Sequence, residues 1–286
     1  MWKIDNNNHY AVFNGKLLFL KSIYINKGNG KKRKIFISNK TTKIFYRSLL
    51  RYLRIKYYLL RKDESIAHGF INRKSPITNA IAHKNLIGQH SDIRDYTNID
   101  NTTISLDIED FFPSIRPTML KGIDEDILSV CFVNDELPQG LPTSPILSNI
   151  AMIEVDNMIE NNLSTLADSR CFKYVYTRYA DDITITIQPT LDNQHTKKFL
   201  AKIEREIYQI VKGILLYNGF KLNEKKTKIN RFNDATNITG INIYKGLARP
   251  SRKLKRNLRA AFHQKNLNNI VGMMGWIESI NNENQN

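Results

Sequence analysis

Two adjacent carboxylates between two strand-like runs constrain this chain more than any other feature. They lie in Tyr179–Asp182, which reads Tyr-Ala-Asp-Asp. The preceding run, Tyr174–Arg178, and the following run, Ile183–Ile187, are rich in β-branched and aromatic residues, and the second alternates with a period of two. The pattern predicts a β-hairpin with Asp181 and Asp182 at its tip. Such a pair suits Mg²⁺, a hard cation, although a polar turn without a metal is the simpler explanation of an isolated Asp-Asp.

A third carboxylate strengthens the metal hypothesis. The segment Ile104–Ser114 reads as a β-strand that runs into a proline-terminated turn, with Asp107 near the end of the strand. Two-metal phosphoryl transfer needs carboxylates that bridge two ions roughly 3.5–4 Å apart. Asp107 from one strand, with Asp181 and Asp182 from a neighbouring hairpin, would hold two Mg²⁺ ions in this way. Taken alone, Asp107 is better explained as an ordinary carboxylate at a strand end.

The segment between these carboxylates predicts a shaped loop followed by a helix. Leu137–Ile150 contains Gly140 and three prolines, and the apolar residues that follow recur at helical spacing. We therefore predict a helix from Pro145 to Ile159, with Pro145 in its first turn. A loop that leads into a helix N-terminus commonly receives a phosphate or the edge of a base.

The order and spacing of three motifs resemble a known family. The segments Leu106–Ile115, Gln139–Asn149 and Arg178–Thr186 read LDIEDFFPSI, QGLPTSPILSN and RYADDITIT, and together they resemble the catalytic palm of bacterial reverse transcriptases. The resemblance covers roughly residues 20–280. It implies an α+β right-hand polymerase with fingers at residues 1–98 and a palm with an antiparallel sheet at 99–240. It further implies a fingers–palm segment at 113–150 and a short helical thumb at 241–286.

Two shorter segments narrow the resemblance to retron reverse transcriptases. Asn79–His83 reads NAIAH and is similar to their NAxxH signature, and Ile238–Gly240 is similar to their VTG triplet with Ile in place of Val. Gly219–Thr227 resembles the lysine-bearing segment that follows the catalytic hairpin. One departure is that Lys31–Ile35 lacks the proline that often follows in relatives. The missing proline and the Ile in place of Val bear on the assignment to a particular retron subtype and not on catalysis.

Composition favours an enzyme that binds a polyanion in a reducing compartment. The chain of 286 residues carries 43 Lys and Arg against 27 Asp and Glu, a formal charge of +16, which attracts phosphate over long range. Its length suits one multi-lobed enzyme. Two cysteines provide no disulfide framework, and no apolar run approaches the roughly 20 residues that span a bilayer. The N-terminus shows no signal peptide. We therefore expect a cytoplasmic protein without a membrane partner, and the resemblance implies that it is bacterial.

Basic residues concentrate in two predicted helices. Residues 31–62 include twelve Lys or Arg and no acid. Within them, a first basic ridge consists of Lys43, Arg47, Arg51 and Arg54, whose spacing places them on one helix face. A second basic ridge consists of Arg252, Lys255, Arg256, Arg259 and His263. Solvated helix faces normally mix signs, so single-sign ridges favour binding to nucleic acid. Ser22–Asn26 and Lys31–Ile37 predict a hairpin before the first ridge, and Lys197–Tyr217 predicts a further helix without an assigned function.

The resemblance implies roles for individual residues. The metal ligands and catalytic residues would be Asp107, Asp181 and Asp182. The nucleotide-binding residues would be Arg33, assisted by Lys31 at the triphosphate, Phe112, Gln139, Gly140 and Lys226. The RNA-binding residues would be Lys43, Arg47, Arg51, Asn79, His83, Thr239, Arg252, Arg256 and Arg259. Phe112 would be a steric gate against the ribose 2′-OH, and Lys226 a proton donor to pyrophosphate. A core aromatic, a surface lysine and a structural histidine remain the alternatives for Phe112, Lys226 and His83.

The function implied by the resemblance is that of a retron-type RNA-directed DNA polymerase. It would use dNTPs to copy part of a cognate structured noncoding RNA into DNA, primed from a 2′-hydroxyl of that RNA, and would act in antiphage defence with a separate effector protein. One alternative is another bacterial reverse transcriptase, of the group II intron, diversity-generating or defence-associated type. The chain ends 43 residues after Ile243, which leaves no room for the accessory domains of an intron enzyme. Another alternative is a non-catalytic RNA-binding scaffold, which the cost of crowded like charges disfavours.

Overall fold

The computed structural model describes residues 2–27, 30, 32–61, 63–87, 101–190, 196–231 and 235–284. Within these ranges the strands are β1 Lys3–Asp5, β2 Asn8–Phe13, β3 Lys16–Asn26, β4 Lys32–Ser38, β5 Thr102–Asp107, β6 Phe172–Tyr179, β7 Asp182–Pro189, β8 Lys228–Arg231, β9 Thr236–Ile238, β10 Ile241–Tyr244 and β11 Leu247–Pro250. The helices are α1 Lys40–Leu60, α2 Pro76–Ala82, α3 Phe111–Ser114, α4 Glu125–Cys131, α5 Ser144–Arg170, α6 Thr196–Tyr217, α7 Arg252–His263 and α8 Leu267–Asn282. Single 3₁₀ turns occupy Pro117–Met119 and Glu224–Lys226.

The chain forms two compact units, each assembled from separated segments. The first unit contains Met1–Glu64, Glu109–Met158 and Leu215–Lys221, and the second contains Ser65–Ile108, Ile159–Ile214 and Leu222–Asn286. The predicted division into three consecutive lobes therefore does not coincide with these units and stays a prediction. Its boundary at residues 98–99 lies outside the described residues. Its boundary at residues 240–241 falls between two paired strands, β9 and β10.

The sheet predicted around the aspartates is the centre of the second unit. Its strand order is β6-β7-β5-β8, and all neighbours are antiparallel. The predicted hairpin is confirmed as β6 and β7. The isoleucines of β7 are completely buried, which their alternating pattern predicts, but Thr184 and Thr186 on the other face are buried as well. The strand is thus covered on both faces, unlike a half-buried strand whose polar residues meet water.

A second, three-stranded sheet in the same unit follows the order β11-β10-β9. It is held by an apolar cluster that includes residues of α2 and α8: Ile77, Ala80, Ile87, Ile238, Ile241, Ile243, Ala248 and Ile280. Helix α7 is the predicted basic helix, and the side chain of Ser251 caps it by accepting a hydrogen bond from Leu254 N at 3.3 Å. The C-terminal region therefore begins with a β-hairpin, in addition to the helices expected there.

The first unit contains an antiparallel sheet of order β1-β2-β3-β4 and the first basic ridge. The predicted hairpin is present as β3 and β4, while Gly28, Asn29 and Lys31 lie outside the described residues. Helix α1 begins at the cap residue Asn39, whose side chain accepts from Thr42 N at 2.8 Å. Its buried residue Tyr46 donates from Oη to Val130 O at 2.6 Å, which anchors the helix.

Two long helices match the predictions to different degrees. Helix α6 agrees with the predicted Lys197–Tyr217 to within one residue at its start. Helix α5 begins one residue before Pro145 and continues eleven residues past Ile159. The extension follows from further buried residues at a spacing of four, Leu163 and Ala167, which continue the apolar face.

None of the helices in the described ranges combines the length and the apolar composition that crossing a bilayer requires. The two cysteines are free: Cys131 is buried and Cys171 is exposed.

Candidate active site

The sheet of the second unit brings the three predicted carboxylates to one end. Asp107 at the end of β5 and Asp182 at the start of β7 are direct cross-strand neighbours. Asp181 belongs to the turn before β7, and its carbonyl accepts a hydrogen bond from Ile108 N at 3.0 Å. Antiparallel neighbours on the same face of a sheet have Cβ atoms only about 4.5–5.5 Å apart. The register alone therefore places the side chains of Asp107 and Asp182 side by side.

The turn that carries the Asp pair is fixed from several directions. Ala180 adopts the left-handed conformation with φ +57°, and the Nη1 group of Arg178 donates to its carbonyl at 3.2 Å. Gly69 packs so closely that a Cβ built on it would lie 2.6 Å from Ala180 N. Arg178 itself is buried, and its backbone N and O bond with Ile66 O and His68 N, each at 2.8 Å. The position of the turn is thus set by the fold and not by the Asp side chains.

Arg178 and Gly69 are site-supporting residues that the sequence motifs did not identify. The signal for Arg178 is a cation among the aromatic and β-branched residues of β6, where burial is uncommon unless the charge has a structural partner. Gly69 carries no comparable signal, because the residue that it approaches is more than a hundred positions away in the chain.

Lys226 contacts the buried carboxylate of the site. Its Nζ donates to Asp107 Oδ1 at 2.7 Å, and this bond raises the pKa of Lys226 above its ordinary value. The Lys226 side chain remains 61% exposed, whereas that of Asp107 is 10% exposed. Asn223 N donates to the backbone carbonyl of Asp107 at 2.8 Å, which fixes the 3₁₀ turn next to the strand end. The lysine predicted to serve the site therefore lies in it.

Asp182 shows the electrostatic cost of gathering three carboxylates. Confinement of its carboxyl group by the surrounding protein, together with the negative charges of Asp181 and Asp107, raises the pKa of Asp182 from 3.8 to about 6. The nearby ammonium groups of Lys226 and Lys228 act in the opposite direction without cancelling the effect. A divalent cation would relieve this repulsion, and such a perturbed carboxyl group is typical of functional sites.

The donor set fits Mg²⁺, because all three side chains offer hard oxygen ligands and Asp182 is repelled by the other two. Among the residues that the structure describes, no three Asp, Glu, His or Cys side chains converge as a ready-made metal cluster. At Asp107 the ammonium group of Lys226 occupies one carboxylate oxygen, where a cation would otherwise bind. Coordination of a metal through this oxygen would thus require the ion pair to open.

A pocket of about 390 Å³ adjoins the carboxylates within the second unit. Its lining combines residues of the sheet and of the adjoining Lys226 turn with the β9–β10 turn and the first residue of α2. Its lining residues are Pro76, Ser105, Leu106, Asp107, Tyr179, Asp182, Ile183, Thr184, Lys226, Lys228, Asn237, Ile238, Thr239 and Gly240. The pocket is thus large enough for a nucleoside-sized group and presents carboxylate, ammonium, hydroxyl and amide groups to it.

The raised pKa of Asp182 predicts a pH-dependent stability. The folded state binds this proton more tightly than the unfolded chain, so the free energy of unfolding falls as the pH rises from about 4 to about 6 and stays lower above it. Because Asp182→Asn removes the ionisable group, we expect the metal-free variant to melt about 1–3 °C higher than the wild type near pH 7.5 and equally near pH 4. The effect is small because solvent still reaches the Asp182 side chain, although neighbouring protein atoms surround much of it, and this water screens the repulsion. Scanning calorimetry in EDTA measures it, with exposed Asp135→Asn as control; equal melting temperatures near pH 7.5 would exclude the repulsion.

Gln139 and Gly140 form part of the first unit together with Arg33. The carbonyl of Gln139 accepts from Phe36 N at 2.7 Å, which joins the loop to β4, the strand that carries Arg33. Gly140 has φ +106°, and a Cβ built on it would lie 2.5 Å from Phe36 O. Only glycine fits this contact, so Gly140 is required for the attachment of the loop whatever ligand it binds. Arg33 is exposed.

Phe112 is distinguished from its neighbour by burial. Phe111 is 2% exposed and packs against Phe220 with ring centroids 6.0 Å apart, whereas Phe112 is only half-buried and contacts Phe111 edge-on at 5.5 Å. Phe111 therefore fills the core position. Phe112 keeps the accessible surface that a steric gate needs.

The predicted RNA-binding residues fall into two groups. The basic residues Lys43, Arg47 and Arg51 on α1, and Arg252, Arg256 and Arg259 on α7, are all exposed. Asn79 and His83 are each 0% exposed, and the two ring nitrogens of His83 lie 2.8 Å from Thr186 Oγ1 and Thr177 Oγ1. Burial does not support direct RNA contact by either residue, and for His83 it supports the structural alternative. Thr239 is half-buried and donates from Oγ1 to Pro76 O at 2.8 Å.

Comparisons with known proteins identify the family of the chain. A family model described as reverse transcriptase (RNA-dependent DNA polymerase) matches residues 25–243. The retron Ec86 reverse transcriptase of Escherichia coli is 28% identical over 225 residues, covering 74% of this chain and 61% of that protein. The retron Mx65 reverse transcriptase of Myxococcus xanthus is 26% identical over 253 residues, covering 76% of this chain and 52% of that protein. The chain thus spans about half to three-fifths of the length of these relatives.

A solved structure supports the fold assignment. The telomerase from Candida albicans, in complex with a TWJ fragment of telomeric RNA, matches 90% of this chain and 52% of its own chain, with a TM-score of 0.55 and 14% identity. At that identity the likeness concerns the fold alone. It confirms the prediction of an α+β polymerase fold.

Proposed function

Since the chain belongs to the reverse transcriptase (RNA-dependent DNA polymerase) family, we propose that it is an RNA-directed DNA polymerase of the retron type. The observation that carries the proposal is the pairing of Asp107 with Asp182 across β5 and β7, with Asp181 in the adjoining turn and Lys226 in contact. This arrangement has no structural benefit of its own, because it raises the pKa of Asp182 by crowding like charges. Crowding of like charges with a raised pKa is typical of functional sites.

The carboxylates Asp107, Asp181 and Asp182 would hold two Mg²⁺ ions, with dNTPs as the second substrate. When bound, the metals supply a lowered pKa for the attacking hydroxyl and charge stabilisation at the phosphoryl group. The protein positions the carboxylates through the sheet register and the fixed Ala180 turn. Lys226, once released from Asp107, carries a proton that it can donate to the departing pyrophosphate.

The finer assignment is the retron reaction. The cognate structured RNA would be both template and primer, with one of its internal 2′-hydroxyls placed where a primer 3′-hydroxyl is normally found. Support comes from the similarity of Asn79–His83 and Ile238–Gly240 to retron signatures, and from two relatives that carry the retron name. In the bacterial cytoplasm the branched RNA–DNA product would act in antiphage defence together with a separate effector protein.

The nucleic acid that copurifies from the native host tests this assignment. We expect a short DNA joined to RNA through a 2′–5′ linkage, which RNase shortens and which only a 2′–5′-specific debranching enzyme separates into free DNA. Linear DNA extended from a free 3′ end, in the presence of the cognate RNA, would contradict the retron reaction and favour another bacterial reverse transcriptase. If no primer supports metal-dependent DNA synthesis, the result would favour a non-catalytic RNA-binding scaffold.

Phe112 provides a prediction about substrate choice. Its replacement by Ala should open space for a ribose 2′-OH and lower the discrimination between deoxyribonucleotides and ribonucleotides by about 10- to 100-fold. The ratio of kcat/KM values for the two substrates is the appropriate measurement, since general damage depresses both. Phe111→Leu, in the core position, is the control and should lower stability without changing the ratio. An unchanged ratio in Phe112→Ala would make Phe112 a packing residue.

A further inference from the structure

Helix α2 contacts two groups of residues that line the active-site pocket. One group belongs to the sheet of β5 and β7, and the other is the β9–β10 turn. Pro76, the first residue of α2, lines the same pocket. The two segments that resemble retron signatures, Asn79–His83 and Ile238–Gly240, are α2 with its C-terminal cap and the β9–β10 turn.

The C-terminal end of α2 is attached to the catalytic sheet through His83. Its ring bridges two strands, because the nitrogens lie 2.8 Å from Thr177 Oγ1 on β6 and from Thr186 Oγ1 on β7. Thr186 Oγ1 also lies 2.9 Å from Thr103 Oγ1 on β5. The imidazole thus connects β6 and β7 directly and β5 through Thr186. Burial and the charge of His68 lower the pKa of His83 to about 3, so the ring remains neutral at physiological pH.

A second contact joins α2 to the strand that leads into the Asp pair. Thr78 Oγ1 lies 2.9 Å from His68 Nδ1, and His68 N donates to the carbonyl of Arg178 at 2.8 Å. Arg178 in turn holds the Ala180 carbonyl. The helix is thus connected to the turn that positions Asp181 by consecutive hydrogen bonds.

The N-terminal end of α2 is attached to the β9–β10 turn, which also lines the pocket. Thr239 Oγ1 donates to Pro76 O at 2.8 Å across 163 residues of sequence. Beneath this bond, Ile77 and Ala80 pack with Ile238 and Ile241 in one buried cluster. The same residue of α2 that lines the pocket therefore holds the turn in place.

We infer that α2 fixes the distance between the catalytic sheet and the β9–β10 turn, and that His83 and Thr239 are positioning residues for the priming nucleic acid rather than RNA contacts. His83 sets the helix against the sheet, and Thr239 sets the turn against the helix. A pocket of defined width holds the priming hydroxyl at a fixed distance from Asp107 and Asp182. The placement of this hydroxyl rests on the proposed polymerase function, whereas the attachment of the turn through α2 does not.

Hydrogen exchange tests the attachment without any activity. His83 does not line the pocket, yet His83→Phe should increase exchange of the amides in Thr236–Tyr244 by about 2- to 10-fold, the effect of one or two lost hydrogen bonds. Thr239→Val should do the same, Thr239→Ser should restore wild-type exchange, and Thr118→Val, at an exposed threonine, should have no effect. Should His83→Phe fail to fold, Thr177→Val removes one anchoring bond and carries the same expectation. Unchanged exchange in Thr236–Tyr244 would overturn the inference.

Kinetics and RNA binding separate positioning from recognition. With a preannealed RNA template and DNA primer, Thr239→Val should raise the KM for the primer about 2- to 10-fold with a smaller change in kcat, and Thr239→Ser should restore it. Affinity for the cognate RNA should stay within about twofold of wild type. Weakened RNA affinity with an unchanged primer KM would overturn the inference and make Thr239 an RNA contact. If the wild type extends no primer, the proposed function fails and the exchange experiment alone decides the role of α2.

Discussion

Replacing Asp181 with Asn is expected to reduce DNA synthesis at least about a thousandfold while leaving affinity for the cognate RNA unchanged. The substitution keeps the shape of the side chain and removes one anionic metal ligand, and metal stabilisation of the transferring phosphoryl group is worth several kcal/mol. The fold should tolerate the change, because the contact of residue 181 with Ile108 N uses its backbone carbonyl. RNA affinity should persist, because we propose that RNA binds to the exposed basic residues of α1 and α7 and not to Asp181.

Primer extension and filter binding on the same preparation provide the two measurements. Asp135→Asn is the matched control: Asp135 is exposed, and its left-handed backbone conformation, φ +59°, suits Asn as well as Asp. It should change neither quantity. Substantial residual DNA synthesis by the Asp181→Asn variant would contradict the assignment of the carboxylates as metal ligands. A parallel loss of RNA affinity would instead indicate that the variant is misfolded.

The hairpin of β6 and β7 was predictable because the residues that determine it are close together in the sequence. Alternation in Ile183–Ile187 and the turn at Ala180 define two antiparallel strands, and the order of the three motifs supplied the pairing of Asp107 with the hairpin. Helix α6 was predictable for the same reason, since its apolar stripe has a single period. In each case the residues that determine the element lie within the element.

Residues whose environment depends on distant segments could not be placed from the sequence. Thr184 and Thr186 have the pattern of an exposed strand face, but both are buried, and Thr186 is in contact with His83 across 103 residues. Lys226 lies 119 residues from Asp107, and nothing near either residue predicts their ion pair. The prediction that Asn79 and His83 contact RNA has the same limit. A motif indicates that its residues are important, but it does not indicate whether they face a ligand or the core.

The length of α2 illustrates a further limit. Seven residues are too few for a helix to be stable alone, so α2 depends on its tertiary contacts and on the capping box formed by Ser75 and Thr78. Its role in linking the sheet to the β9–β10 turn is a property of those contacts. Sequence patterns therefore predicted the grouping of the three carboxylates better than the geometry of the segments that support them.

Replacing Arg252, Arg256 and Arg259 together with Gln is expected to weaken binding of the cognate RNA about a hundredfold at 0.1 M salt. The three side chains are exposed on α7 at spacings of four and three, so they share one face, and α7 contains no acidic residue to neutralise them. Each phosphate contact contributes roughly 0.7–0.9 to the slope of log affinity against log salt, so losing three should flatten the slope by about 2–3. The matched control replaces three exposed basic residues outside the ridge with Gln: Lys173, Lys198 and Arg205.

This control variant loses the same net charge as the α7 variant. Its slope of log affinity against log salt should stay almost unchanged, because long-range attraction without contact releases few counterions. A drop in affinity without flattening in the α7 variant would show that the three arginines stabilise the fold instead of binding phosphates.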